Sequence, residues 1–261
     1  MSRARRALAP LRLALLVSLP ALACATVPRP RPLPAEDPRP AALLGSLAHA
    51  AEGRRALRGV AQLALDGPAG SGRARQVLVL ERPARLRVEV LGLLDQTLVV
   101  LTTDGERYRL LRVPERSLDS GSVYPDLLRD VAGLAVTPEQ AVGLLLGVPQ
   151  PPAGTRIEGA ALLGQGGMRV EVGSGDTAGH QIFEFDAASQ LRRWAEIGPA
   201  GQEISEARFD DYRPLAGEAF AHEIALVDRV SGAEARISFA SVELNPELPP
   251  GVFELPTGGA G

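Results

Sequence analysis

From residue 56 onward, segment after segment of this chain has a hydrophobic period of two, with helical sequence interrupting only once. Strands that follow one another through short turns pair antiparallel, because a parallel neighbour needs a crossover of about a dozen residues or more. Residues 84–91 (ARLRVEVL) show the pattern most cleanly. Leu86, Val88 and Val90 fall on one face, and Arg85, Arg87 and Glu89 on the other. Residues 56–66, 73–82, 84–91, 96–103 and 106–113 form a first strand series, with Asp104-Gly105 as a hairpin turn. A second series covers 156–163, 167–173, 179–187, 190–197, 202–212, 219–229 and 234–243, turning at Asp186–Ser189 and Asp228–Gly232.

Between the two series, residues 122–131 and 138–147 have helical spacing. Thr137 is a good N-cap, Pro138 suits the first helical position and Glu139 favours the helix start. Gly147 and Pro149 end that helix. A short helix over 41–52, ending near Gly53, precedes the first strand. The order predicts a mainly β (α+β) fold: one large curved antiparallel sheet of about eleven strands, with helices packed on one face. Aromatic residues make up only 4% of the chain, so an aliphatic core is expected.

The N-terminus is organised differently. Arg3, Arg5, Arg6 and Arg12 precede the apolar run Leu13–Leu19, with no acidic residue among them. That run is shorter than the roughly 20 residues of a membrane-spanning helix and fits a secretory signal over residues 1–23. Ala21-Leu22-Ala23-Cys24 resembles the bacterial lipobox, although Leu is usual where Ala21 stands. The resemblance implies cleavage before Cys24 and lipidation of that residue, the sole cysteine of the chain. Ala25, in place of the Asp that usually retains such proteins at the inner membrane, implies an anchor in the outer membrane, on its periplasmic face. Residues 24–40 are rich in Pro and are expected to form an extended tether. Residues 257–261 are expected to be a disordered tail.

Every basic residue is Arg, and removing the four in the signal moves the net charge from −3 to −7. No basic domain remains to bind nucleic acid. The chain carries no GxSxG elbow, HExxH helix, P-loop or paired-Cys metal spacing, so no catalytic residue, metal or cofactor is expected. His49, His180 and His222 lack metal-like spacing, Gly164–Gly167 reads as a turn, and Trp194 is expected to pack on the sheet.

Four passages together resemble the LolA/LolB-like superfamily of periplasmic lipoprotein carriers and outer-membrane receptors. They are Leu57–Leu65, Pro83–Gly105, Leu127–Gly133 with Leu144–Gly147, and Val242–Pro256, spanning a domain at about 41–256. The resemblance implies an unclosed barrel whose concave face, lidded by helices, holds the acyl chains of lipids or lipoproteins. The expected partners are those lipids, the membrane through Cys24, and a periplasmic carrier or another envelope protein, with the chain itself a monomer. Alternation nominates Leu86, Val88, Val90, Leu98, Val100, Tyr108, Leu110, Ile224, Leu226, Ile237 and Phe239 as the lining, unless they only pack against the helices. Leu91–Gln96 places apolar residues where a turn should be polar. Leu93 and Leu94 match the protruding loop with which LolB delivers lipoproteins to the membrane; the alternative is a hairpin folded back under a helix.

Overall fold

The computed structural model describes residues 29–68, 70–173 and 180–255. The signal segment, Cys24, Ala25 and the C-terminal tail lie outside the described residues. Among the described residues no helix is long and apolar enough to cross a membrane.

After a two-residue strand β1 (Arg31–Pro32) come helix α1 (Arg39–Gly53) and six strands. These are β2 (Ala56–Gly67), β3 (Gly70–Glu81), β4 (Arg85–Leu91), β5 (Thr97–Thr103), β6 (Arg107–Arg112) and β7 (Ser117–Ser122). Helices α2 (Leu127–Ala132) and α3 (Pro138–Leu145) follow. Seven strands complete the chain: β8 (Arg156–Leu162), β9 (Met168–Gly173), β10 (His180–Phe185), β11 (Leu191–Ile197), β12 (Glu203–Leu215), β13 (Glu218–Asp228) and β14 (Glu234–Leu244).

All fourteen strands form one antiparallel sheet in the order β1-β8-β9-β10-β11-β12-β13-β14-β2-β3-β4-β5-β6-β7. The sheet is not closed, since β1 and β7 remain its edges. The two series meet where β14 pairs with β2, from Glu234 opposite Asp66 to Leu244 opposite Leu57. Each strand range expected from the sequence is present, and β1 and β7 are additional. β7 (SLDSGS) has one apolar residue and pairs only with β6. An edge strand needs no buried face, so it leaves no hydrophobic period to read. β7 takes up Ser122, and the helix expected over 122–131 spans Leu127–Ala132, starting two residues after Pro125. β1 also shortens the expected tether: Arg31 and Pro32 pair with β8, and Leu33 donates its N–H to the Ala160 carbonyl at 2.9 Å.

The helices cover one face of the sheet. Leu47 and Ala51 of α1, Leu128 of α2, and Ala141, Val142, Leu144 and Leu145 of α3 join a continuous core with inward-facing strand residues. α3 begins with a capping box: Gln140 N–H donates to Thr137 Oγ1 at 3.1 Å and Thr137 N–H to Gln140 Oε1 at 2.8 Å. α1 lies beside β8 and β9, and α3 lies over β4.

The opposite face of β3–β6 is covered as well. The segment after β14 runs back across it, and Arg87 donates to the carbonyls of Val252 and Glu254 at 3.2 Å. Arg109 donates to Leu255 O, and the Arg85 guanidinium sits 4.6 Å from the centre of the Phe253 ring. Phe253 and Leu255 are buried there, as are Val79 and Val100 on the strands beneath.

Candidate functional site: an aliphatic cavity beneath the helices

Strand register arranges the inner side chains of β2–β5 in rungs. Leu80, Leu86 and Thr103 form one rung; Leu78, Val88 and Leu101 the next; Ala61, Gln76, Val90 and Val99 a third. Toward the β2–β3 turn, Leu63 faces Ala74 and Ile237, and Leu65 faces Gly72 and Ala235. α2 and α3 stand over these rungs but do not fill the space. A cavity of about 390 Å³ remains, within the roughly 300–1,000 Å³ common for small-molecule sites. The helices contribute Leu128, Val131, Ala132, Ala141 and Leu145 to its wall, with Leu134 from the connection between α2 and α3. Gln76 is the one buried polar side chain among the lining residues.

Of the residues nominated from alternation, Leu86, Val88, Val90, Leu226 and Ile237 line this cavity. Ile224 and Phe239 are buried on the same face in its solid part, where the Phe239 ring meets Phe220 edge-on at 5.8 Å. Leu110 and Tyr108 share the inner face but border a shallow depression next to β7. Leu98 and Val100 are corrections. Val99 and Leu101, not Leu98 and Val100, point into the cavity. Leu98 falls at the bulge where β5 joins β4, since Val90 faces Val99 while Leu91 faces Thr97. Val100 lies on the outer face, opposite Glu89, on the side covered by the C-terminal segment. A strand buried on both faces is apolar throughout, so alternation gives no parity for β5. Leu63, Leu65 and Leu78 also line the cavity; their inward parity follows from the register with β4.

The remainder of the helix-covered face is filled by aromatic side chains, and an opening of comparable size there, about 360 Å³ between α3, the segment after it and Trp194, has a largely polar wall. Phe183, Phe185, Trp194 and Phe209 are buried on β10–β12, and Phe220 and Phe239 on β13 and β14. Trp194 donates its indole N–H to Gln181 Oε1 at 3.2 Å. The core expected to be aliphatic is so throughout the first strand series, whereas the second series adds aromatic side chains to its aliphatic ones. The signal was legible in the distribution of residues: no Phe or Trp occurs before Phe183. Large flat side chains close one half of the face, and the half built from Leu, Val and Ala keeps its void.

Leu93 and Leu94 occupy the turn between β4 and β5, one step beyond the cavity-lining pair Val90 and Val99. They are 103% and 88% exposed, so this hairpin is not folded back under a helix. The turn is nonetheless fixed. Gly92 N–H donates to Gln96 O at 2.8 Å, Leu94 N–H to Gln96 Oε1 at 2.9 Å, and Asp95 is ion-paired with Arg75 at 2.9 Å. Two leucines are thus held in solvent by a turn whose polar groups are paired, at the same end of the sheet as the cavity's Val90–Val99 rung.

Charged side chains concentrate on the outer face of β9–β12. Glu206 is buried and accepts from Arg229, Arg193 and Arg208; Glu184 accepts from Arg169 and Arg193. Burial pushes the Glu206 carboxyl up, but the Arg229 hydrogen bond and the Arg193 and Arg208 charges outweigh it and hold the carboxyl below its usual range. Among the described residues no cluster of three or more His, Cys, Asp or Glu side chains could hold a metal. His49 and His180 pair with Glu52 and Glu158, and His222 packs edge-on against Phe220. Adjacent Asp210 and Asp211 pair with different arginines, Arg192 and Arg213.

An open antiparallel sheet of this size, with helices over an apolar cavity, is the LolA-like architecture. Similar solved structures are a LolA superfamily protein from Nitrosomonas europaea and a domain named for outer membrane lipoprotein sorting from Vibrio parahaemolyticus. The first has a TM-score of 0.56 at 11% identity, covering 80% of this chain and 96% of its own. The second has a TM-score of 0.59 at 11% identity, with coverage of 82% and 95%. A DUF1329 family protein from Desulfovibrio piger reaches 0.56 at 8% identity, with coverage of 83% and 96%. At such identities the likeness is one of fold. No family model and no curated protein sequence matches the chain.

Proposed function

We propose that this protein is a non-enzymatic lipoprotein, anchored to the periplasmic face of the outer membrane through Cys24. It takes acyl chains into the cavity between β2–β5 and α2–α3 and assists lipoproteins or lipids to reach that membrane. The observation that carries this reading is the 390 Å³ cavity with an almost wholly aliphatic wall. Apolar surface facing a void rather than packed atoms is unfavourable, and an acyl chain supplies the missing contacts. Leu93 and Leu94 support the same reading, because exposed apolar side chains on a rigid turn suit insertion among lipid tails. The similar fold of a domain named for lipoprotein sorting agrees with it.

Native mass spectrometry of the full chain bearing Cys24→Ala, purified without added lipid, tests the reading. Co-purifying acyl lipid, or uptake of a fluorescent fatty acid at one equivalent, is the expected result. A lipid-free protein that takes up no fatty acid and co-purifies with an envelope protein would instead make it an adaptor.

A further inference from the structure

Gln76 stands in the middle of the cavity wall and is only 2% exposed. Its side-chain Nε2 is buried and has no hydrogen-bond partner. No described residue accepts from it. The neighbours on its rung are Ala61 and Val90, and those on its own strand face are Ala74 and Leu78. An unsatisfied buried donor is costly and uncommon, and each case calls for an explanation. Water is a poor one here, because a buried water requires about two to four polar partners and this wall offers one buried polar side chain. The missing partner must be an acceptor that carries apolar atoms on either side of itself.

The geometry points to Gln76 as the residue that recognises the ester carbonyl of an acyl lipid. The chain lies along the leucine and valine rungs, and the carbonyl oxygen accepts from Gln76 Nε2 once the amide, closed off by neighbouring atoms in the empty protein, rotates toward it. This rests on the proposed acyl-chain cavity and narrows it, because a hydrocarbon without a carbonyl fills the space but leaves Nε2 unpaired. Gln76 is then a specificity-determining residue: it selects acyl esters over ethers or alkanes of equal length. The same position weakens the empty protein, a frequent cost where a polar group is kept for binding.

The test uses the full chain with Cys24→Ala, titrated by native mass spectrometry with dipalmitoyl phosphatidylglycerol and with its dihexadecyl ether analogue, which lacks both carbonyls. The ester lipid should bind about five- to tenfold more tightly than the ether, as one hydrogen bond provides. In Gln76→Leu that preference should disappear, ether binding should be retained, and the lipid-free protein should melt at the same temperature or higher. Equal binding of both lipids by the wild type, or a preference that survives in Gln76→Leu, overturns the assignment while leaving the cavity reading intact. Binding of neither lipid overturns both. A lower melting temperature for lipid-free Gln76→Leu also contradicts it, since it means that Gln76 already has a structural partner. A triacylated lipopeptide in parallel separates the two sources of acyl ester. Tighter binding than the phospholipid identifies lipoprotein and weaker binding identifies membrane lipid, and in either case loss of that binding advantage over the ether in Gln76→Leu is required to uphold the carbonyl contact.

Discussion

Two stretches of one sheet face carry helices, and they meet them differently. Under β10–β12 the large inner side chains are Phe183, Phe185, Trp194 and Phe209, packed closely except at the rim, where Trp194 borders a polar-walled opening. Under β2–β5 they are Leu, Val and Ala around Gln76, and about 390 Å³ stays open. Backbone geometry does not distinguish the halves, since both are antiparallel ladders interrupted by single bulges. Side-chain size does. The outer faces differ in the same sense, with an ionic network around Glu206 on one half and the apolar strap of Phe253 and Leu255 on the other. One half holds the molecule together, and the other is available to a ligand.

The largest expected effect lies in the solid half. Trp194→Ala should cost about 3–5 kcal/mol, read as a lower denaturant midpoint, because it leaves a void that the ladder cannot collapse. A loss below about 1 kcal/mol would mean that this half is also loosely packed. A matched pair of enlargements comes next. Ala207→Phe, opposite Trp194 in the solid half, should destabilise by about 1–3 kcal/mol through overpacking. Val88→Phe, in the cavity half, should leave the melting temperature unchanged or raised while acyl-lipid binding falls about tenfold or more, or about 1.4 kcal/mol. Equal destabilisation by the two would remove the distinction.

Glu206→Gln should cost about 1–3 kcal/mol. The substitution leaves Arg193, Arg208 and Arg229 without their common carboxylate, and the partial exposure of Arg208 and Arg229 moderates the loss. Because the folded-state pKa of Glu206 is lowered, its stabilisation is complete above the ordinary glutamate value of 4.5 and is lost as pH falls below it. Unfolding measured between neutral and acid pH should show a shallower acid decline in Glu206→Gln than in the wild type. The smallest effect on stability, within about 0.5 kcal/mol, belongs to Leu93→Glu with Leu94→Glu, which lie in solvent. Transfer of lipid to vesicles should nevertheless weaken. Unchanged transfer, or an unfolded double variant, would remove the membrane role of this turn.

The fold was legible because strand alternation survives wherever one face is polar, as in Arg85–Leu91. It failed where that condition fails. β5 is apolar on both faces because the C-terminal segment covers the outer one, so Val99 and Leu101 could not be told from Leu98 and Val100 by pattern. β7 is polar on both sides and left no pattern. Leu93 and Leu94 stood out because a turn has no local reason to be apolar. Gln76 did not, since a single polar residue within QVLVL resembles the solvent side of a strand until register turns it inward. The division between solid and open halves was written in the placement of Phe and Trp, but only knowledge of strand order shows that these residues share one region of the face.

The division can be measured directly by photo-crosslinking. A diazirine-bearing palmitate, bound to the full chain with Cys24→Ala and activated, should label the cavity wall on β2–β5 and on α2 and α3. Peptide mapping should find adducts within residues 63–101 and 128–145 and none on β10–β12. Adducts concentrated on β10–β12, or none anywhere at saturating lipid, would contradict the division of labour between the two halves.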